Sequence, residues 1–348
     1  MHILSIDVGI KNLAHCLVKV NSDKRYDIVL WDTVNLSEGL LPICSNPNCK
    51  DLAKYTNRNN TIFCNKHAKN TDLIIPDKSI LKYKSLKLSV LNDLVKKYEL
   101  PVPNEKITKA VLSKVIEEFL NGEEMSFFII SDGQSYKMFG TAQDHKRVFE
   151  GDKGKNTGGM GAYSPSRLQS DKLNQKIINK IIEPTLNGLK KLNSEYKGFL
   201  YAGLMIVNEE PFLIEYNVRM GDPEAEVVIP RLTSDLLHLL KGINDGTFSE
   251  KDLEITKDVA ATVMLVSGGY PEDYAKGKTI SGLELIENSL IFHSGTKNDG
   301  CLKTNGGRVM AITSLCEKMS IALSNSFKNA ERVAFEGKYY RKDIGFDL

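Results

Sequence analysis

In the stretch LIEYNVRMGDPE (residues 213–224), Leu213, Glu215, Asn217 and Arg219 alternate with Ile214, Tyr216 and Val218. Side chains on a strand point to opposite faces with a period of two. One face is therefore apolar, and the other carries a carboxylate, an amide and a guanidinium in a row. Two readings stand: a wet strand face, or a site that holds a cation and an anionic substrate. For the second, Glu215 and Asn217 offer two oxygens at i and i+2. Such a pair suits Mg²⁺ or Mn²⁺, with waters or phosphates filling the other positions.

Two further groups lie near the start of the chain. Cys44-x4-Cys49 and Cys64-x2-His67 are two close pairs separated by about 14 residues, the spacing of a tetrahedral Cys₃His zinc site. The insert around them, from about Pro42 to Asn70, is loop-like and poor in apolar residues, so Zn²⁺ would supply its folding free energy. Free thiols and a surface His67 are the competing reading. Asp7 in SIDVGIKN is a carboxylate within an apolar strand, which is costly unless it is paired or metal-bound.

The 348 residues suffice for two or three domains. With 41% hydrophobic and 26% charged residues the composition is that of a soluble globular protein. No signal peptide and no apolar run long enough to span a bilayer is found, so a cytoplasmic protein without a membrane partner is expected. The net charge of +2 hides an asymmetry. Residues 1–114 carry 18 Lys and Arg against 11 Asp and Glu, or +7, and the remainder carries −5. A basic first third fits either weak contact with nucleic acid or merely solvated lysine-rich helices. Cys301 and Cys316 are expected as small core residues.

HILSIDVGI, KNLAHCLVKV and YDIVLWDTVNL read as a meander of two or three strands. SILKYKSLKLSVLNDLVKKYEL has helical spacing and PVPNEK breaks it. EEFLNGEEMSFFIISDG reads as strand–turn–strand. A helix over KLNQKIINKIIEPTLNGLKKL then precedes the strands GFLYAGLMIV and PFLIEYNVRM, and DLLHLLKGINDG is another helix. DVAATVMLVSGGYP opens a β-rich segment that closes with GGRVMAITSL and a helix of about 20 residues.

The opening strand, with its D-x-G-x-K-N ending, resembles RuvC-like nucleases of the RNase H superfamily, particularly viral Holliday-junction resolvases. The resemblance implies an Asp7 that holds Mg²⁺ for phosphodiester hydrolysis. The further carboxylates that such chemistry needs cannot be placed before Ala110, so an inactive, truncated nuclease segment is expected.

From about Val115 onward the motifs TAQDHKR, NTGGMGAYSP, GFLYAGLMIV, LIEYNVRMGDPE, SGGYPEDY, FHSGTK, TNGGRVMAIT and YYRKDIG occur in order. Together with VIEEFLNGEEMSFFIISDG they resemble glycinamide ribonucleotide synthetase, an ATP-grasp ligase of purine synthesis. The resemblance implies an α/β (α+β) chain with three parts. These are a nuclease fragment at 1–110 with its zinc insert, the C-terminal part of an ATP-grasp fold at 115–250, and a β-rich C-terminal domain at 255–348. It implies ligation of glycine to 5-phosphoribosylamine through glycyl phosphate, with ATP and Mg²⁺ or Mn²⁺.

Adenine would then lie against Glu117, Glu118, Phe119 and Leu120, with Glu123 on the ribose. Lys146, Arg147, Gly158, Gly159 and Gly161 would meet the substrate, and Arg219 would steady the transferred phosphoryl group. Asp222 and Glu224 would hold the acceptor amine. Asn305 and Arg308 are expected to be structural. The family's N-terminal domain and glycine-rich lid have no counterpart among these motifs, so impaired autonomous turnover is expected. The alternatives are a junction nuclease or DNA-binding fragment, and a non-catalytic remnant.

Overall fold

A computed structural model describes residues 122–348 and, ahead of them, the backbone of five strands. The chain divides into two units, Met1–Phe119 and Leu120–Leu348. In the first, β1 (His2–Val8), β2 (Asn12–Val20) and β3 (Tyr26–Asn35) form an antiparallel meander in the order β1-β2-β3, and β4 (Tyr55–Thr56) pairs with β5 (Ile62–Phe63). Asp7 pairs in register with Ala14. Cys44, Cys49, Cys64 and His67 lie outside the described residues, as do Glu117, Glu118, Phe119 and Leu120.

The second unit is built on one eight-stranded sheet in the order β12-β11-β6-β7-β10-β13-β17-β14. Its members are β6 (Glu123–Asp132), β7 (Tyr136–Asp144), β10 (Gly161–Ser164), β11 (Lys197–Val207), β12 (Glu210–Asn217), β13 (Val259–Val266), β14 (Leu290–His293) and β17 (Arg308–Cys316). All pairings are antiparallel, and β10 to β13 joins the segments before and after residue 250. Two small hairpins, β8 (Arg147–Phe149) with β9 (Lys153–Asn156) and β15 (Thr296–Asn298) with β16 (Leu302–Thr304), stand off it. Cys301 sits in the exposed turn of the second hairpin, not in the core, and Cys316 is only half-buried.

Strand β6 is buried from Met125 to Ser131 without alternation, because both faces of the sheet are covered. Phe127, Ile129, Leu200, Ala202 and Leu204 pack under the helical layer of α1 (Asp171–Ile177) and α2 (Glu183–Lys191). A π-helical turn, Ile178–Ile182, links these two. The single helix expected from the spacing is locally rewound just before Pro184, which has no N–H to give to the ladder. Phe128, Ile130 and Ala142 face the other way, toward α3 (Ala225–Val228) and α4 (Leu236–Asp245). Asp235 caps α4 by accepting from the Leu237 and His238 amides, and Gly246 ends it at φ +78°. Helix α5 (Met319–Arg332), 14 residues long rather than about 20, packs on β13 and β17.

The β11–β12 hairpin turns through Asn208 and Glu209, both at positive φ, as a two-residue primed turn requires. The hairpin therefore brings LIEYN back alongside YAGLM with its register set.

Candidate functional site

Register alone assembles the site. Glu215 pairs with Gly203, Gly203 with Ser126, and Ser126 with Ala142. Asn217 pairs with Tyr201 in the next row of the same face. By the two-residue period, Glu124 on β6 and Asp144 on β7 share that face. The apolar end of the face is the core beneath α3 and α4, so the polar end is where strands from four parts of the chain present side chains together.

The alternation read from the sequence is broken once. Leu204 pairs with Leu213 while Gly203 pairs with Glu215, so Ile214 is bulged out of the ladder. Leu213 thereby parts from the face of Glu215, and Ile214 joins Glu215 in lining the same cavity. The strand stops at Asn217, so Arg219 lies in the bend beyond it, exposed, with Nη1 donating to the Met220 carbonyl at 2.9 Å.

The next turn returns over the sheet. Glu224, 3% exposed, accepts at Oε1 from the hydroxyls of Ser126 (3.0 Å) and Tyr201 (2.9 Å). Burial, then the Glu224 charge, raises the Tyr201 phenol. Asp222 Oδ1 is 3.0 Å from the Arg308 guanidinium. Arg308 also donates to the carbonyls of Gly158 (2.7 Å) and Asp222 (2.8 Å), so it ties the NTGGMG loop to the GDPE turn. Gly159 fits beneath Pro223 and Asp144, where a Cβ would come within 2.3 Å of Pro223 Cδ. Gly161 begins β10.

Lys146 Nζ pairs with Glu124 at 2.6 Å; burial works against its charge, but this ion pair outweighs burial and raises the amine. Arg147 donates to the Gly154 carbonyl at 2.8 Å, and Glu123 pairs with Arg167. Behind this wall His145 Nε2 contacts Asp347 at 3.1 Å, and Arg341, fully buried, binds Asp152 and Asp343. Residues near 340–348 thus brace the DHKR loop.

Asp144 is half-buried, and its Oδ1, itself out of solvent, has no hydrogen-bond partner. Burial, then the charge of Glu224, pushes its carboxyl well up, against the pull of Lys146 and Arg308. Two cavities, about 610 and about 110 Å³, meet at Glu124, Asp144 and Lys146, which line both. Glu215, Ser126, Tyr201 and Gly203 line the smaller; Arg147, Asn156 and Arg167 line the larger.

Glu226 is a second orphan, with Oε2 unpartnered. Burial, then the charge of Asp222, pushes its carboxyl up to about 8. A carboxyl raised in the folded state costs nothing below its unfolded value near 4.3. Its ionisation destabilises the fold progressively as pH rises to about 8. Glu226→Gln is therefore expected to raise Tm at pH 8.5 and leave it unchanged at pH 4. An equal shift at both values would contradict the assignment.

Glu124, Ser126, Tyr201 and Glu226 were not singled out from the sequence. Ser126 and Glu224 stand 98 residues apart, and only the strand order unites them. Among the described residues no three His, Cys, Asp or Glu side chains converge as a metal cluster. Glu215 and Asn217 lie 3.1 Å apart through the amide Nδ2. One carboxylate and one side-chain amide are donor types that a hard divalent cation takes beside water or phosphate, although the Asn217 amide here turns its nitrogen to Glu215.

Three family models match the chain. Residues 83–225 match the phosphoribosylglycinamide synthetase ATP-grasp (A) domain, and residues 260–347 match the C domain of the same enzyme. Residues 3–102 match the mitochondrial resolvase Ydc2 / RNA splicing MRS1 family, in keeping with the nuclease resemblance of that segment. The phosphoribosylamine–glycine ligase of Chlorobaculum tepidum is 45% identical over 235 residues, 66% of this chain and 55% of that protein. The ligase of Pasteurella multocida is 45% identical over 67% of this chain and 55% of its own length. The chain thus spans about half the length of these curated relatives. The crystal structure of the Thermotoga maritima phosphoribosylamine–glycine ligase superposes with a TM-score of 0.63 at 30% identity, covering 77% of each chain. With an ATP-grasp sheet, a synthetase C domain and relatives at this identity, the chain belongs to the phosphoribosylglycinamide synthetase (phosphoribosylamine–glycine ligase) family.

Proposed function

We propose that the second unit carries the ligase chemistry of this family: glycine, ATP and 5-phosphoribosylamine giving glycinamide ribonucleotide, ADP and phosphate. The observation that carries the reading is Glu215, with Asn217 beside it, lining a cavity that shares the acidic and basic wall of Glu124, Asp144 and Lys146 with a larger one. In the reaction a glycine carboxylate oxygen takes the γ-phosphoryl group as the bond to ADP breaks. The amine nitrogen then attacks the acyl carbon, phosphate leaves with the bonding pair, and the nitrogen loses a proton. No protein nucleophile is needed; the work is positioning and charge neutralisation.

Mg²⁺ or Mn²⁺ at Glu215 and Asn217, when bound, supplies charge for the polyphosphate. Lys146 and Arg147 face the phosphorylated substrate from the larger cavity. Arg219 stands at the strand end, free to swing onto a phosphoryl oxygen. Asp222 and Glu224 fix the turn that closes over the acceptor. Glu117 to Leu120 and Glu123 would hold the nucleoside. A purine-synthetic role fits a cytoplasmic protein, and among the described residues no helix is long and apolar enough to cross a membrane.

The test is phosphate release from ATP that requires glycine and phosphoribosylamine together. Folded protein that releases none in the presence of both would rule out autonomous turnover.

A second reading concerns the first unit, where the meander carrying Asp7 and the resolvase-family match favour a Mg-dependent nuclease or a DNA-binding segment with a Cys44, Cys49, Cys64 and His67 zinc insert. It requires branched-duplex cleavage that Asp7→Asn abolishes, and one equivalent of zinc per chain. Cleavage unaffected by that change would remove Asp7 from the chemistry.

A further inference from the structure

Resting on the ligase reading, we propose that Asp347 is a positioning residue for the Lys146 and Arg147 pair. It fixes which ring nitrogen of His145 carries the proton, and with it the seat of the loop that presents both cations to the larger cavity.

His145 is the link. The residue is 4% exposed, and Nδ1 has no hydrogen-bond partner. Nε2 stands 3.1 Å from Asp347 Oδ1 and 3.1 Å from the Gly345 amide nitrogen. These two contacts make opposite demands: the carboxylate needs a proton on Nε2, whereas the amide N–H needs a lone pair there. One arrangement of the ring proton satisfies each, and none satisfies both. The carboxylate decides between them. Asp347 Oδ2 accepts from the Tyr163 hydroxyl at 2.6 Å and faces Arg167 Nε at 3.4 Å. Burial works against its charge, but the hydrogen bonds from His145 and Tyr163 outweigh burial and hold the carboxyl well below the usual range. An ionised Asp347 keeps the proton on Nε2, and the Gly345 amide goes without that acceptor.

The loop has little slack to absorb a movement of this ring. The His145 amide donates to the Gly161 carbonyl and the His145 carbonyl accepts from the Met160 amide, both at 2.9 Å. The Lys146 carbonyl accepts from the Thr157 amide at 2.7 Å, and the Arg147 carbonyl from Arg341 Nη1 at 3.1 Å. Arg341 is itself locked, fully buried and bidentate on Asp343 at 2.7 and 2.9 Å. Two side chains from residues 341–347 thus hold the loop from behind. Arg341 is a fixed clamp, while Asp347 acts through a ring with two settings. Packed interiors switch between such discrete settings and do not deform continuously.

The experiment uses the full chain labelled with ¹⁵N in histidine, with the His145 ring nitrogens read by NMR. Binding of ribose 5-phosphate is measured in parallel by calorimetry, with Mg²⁺ and a non-hydrolysable ATP analogue present. In wild type Nε2 is expected to carry the proton and Nδ1 the lone pair. In Asp347→Asn the amide oxygen stays with the donors Tyr163 and Arg167, so the amide nitrogen turns to His145 and the ring proton moves to Nδ1. Ribose 5-phosphate binding should weaken by roughly tenfold, as for changes remote from a ligand but coupled to it, with the ATP analogue within about twofold. Asp347→Glu keeps the charge and should restore the wild-type ring signals and part of the affinity. Tyr163→Phe removes another contact of Asp347 without changing what His145 Nε2 meets. It should lower Tm yet leave ring signals and binding as in wild type, which measures what a merely structural Asp347 would do. Unmoved ring signals in Asp347→Asn, wild-type ribose 5-phosphate binding in that variant, or an equal loss in Tyr163→Phe each overturn the assignment. If wild type binds the ATP analogue but no ribose 5-phosphate, Lys146 and Arg147 have nothing to be aimed at, and this inference falls alone. If it binds neither, the ligase reading fails with it.

Discussion

Glu215→Gln is expected to lower ATP-dependent phosphate release by about 10²–10³-fold, the usual cost of removing one preorganised charge from a transition state that develops charge. The carboxylate is exposed and its recorded partner is the Asn217 amide at 3.1 Å. The fold therefore barely uses it, and Tm should move by no more than an exposed substitution does, within about 0.5 kcal/mol. That contrast separates a functional ligand from a structural one. A wet strand face would leave phosphate release untouched as well. Two refinements sharpen the test. Glu215→Asp keeps the charge and should recover part of the rate at raised Mn²⁺, because a flexible cation shell tolerates a shorter arm better than a lost charge. Asn217→Ala removes a neutral oxygen and should cost less than Glu215→Gln. Wild-type rates in Glu215→Gln at saturating ATP would sink the cation reading of β12.

The pair Glu215 and Asn217 was legible in the sequence because alternation is a local property and two residues suffice to express it. The limits of that reading are equally local. Leu213 parts from the polar face because Ile214 is bulged, and Arg219 leaves it because the strand ends two residues earlier; no glycine or proline within residues 214–219 announces either event. Asp144 was visible within TAQDHKR as one charge among four. Its solitude was not, since that depends on Glu224 arriving from 80 residues away and on Lys146 turning to Glu124. The order of the sheet was out of reach, because β6 pairs with β11 across the whole helical layer. The fold class and motif order follow from residue types along the chain. The electrostatic character of the site follows from register, which the sequence does not state.

Gly159 marks where that register becomes a steric demand, and Gly159→Ala is expected to be the most destabilising single-methyl change in the site. The residue sits at φ +116°, and a Cβ would meet Pro223 Cδ at 2.3 Å and Asp144 Oδ1 at 2.7 Å. Neither neighbour can retreat easily: Pro223 is buried in the GDPE turn, and Asp144 Oδ1 is out of solvent at the end of β7. Overpacking costs about 1–3 kcal/mol and the backbone strain about 1–3 kcal/mol, so a loss of about 2–6 kcal/mol is expected. For a unit of this size that corresponds to a Tm lower by roughly 5–15 °C. Gly188→Ala in α2 is the matched control, because nothing lies within 4 Å of its added methyl. Alanine is the better helix former by about 0.5–1 kcal/mol, so the control should rise slightly. A Tm for Gly159→Ala within 2 °C of wild type, roughly 1 kcal/mol at this size, would mean that the loop moves away from Asp144 at little cost. In that event the NTGGMG loop would not be what confines the carboxylate. If the large loss is found, the position of Asp144 is fixed by packing against a glycine that leaves it space.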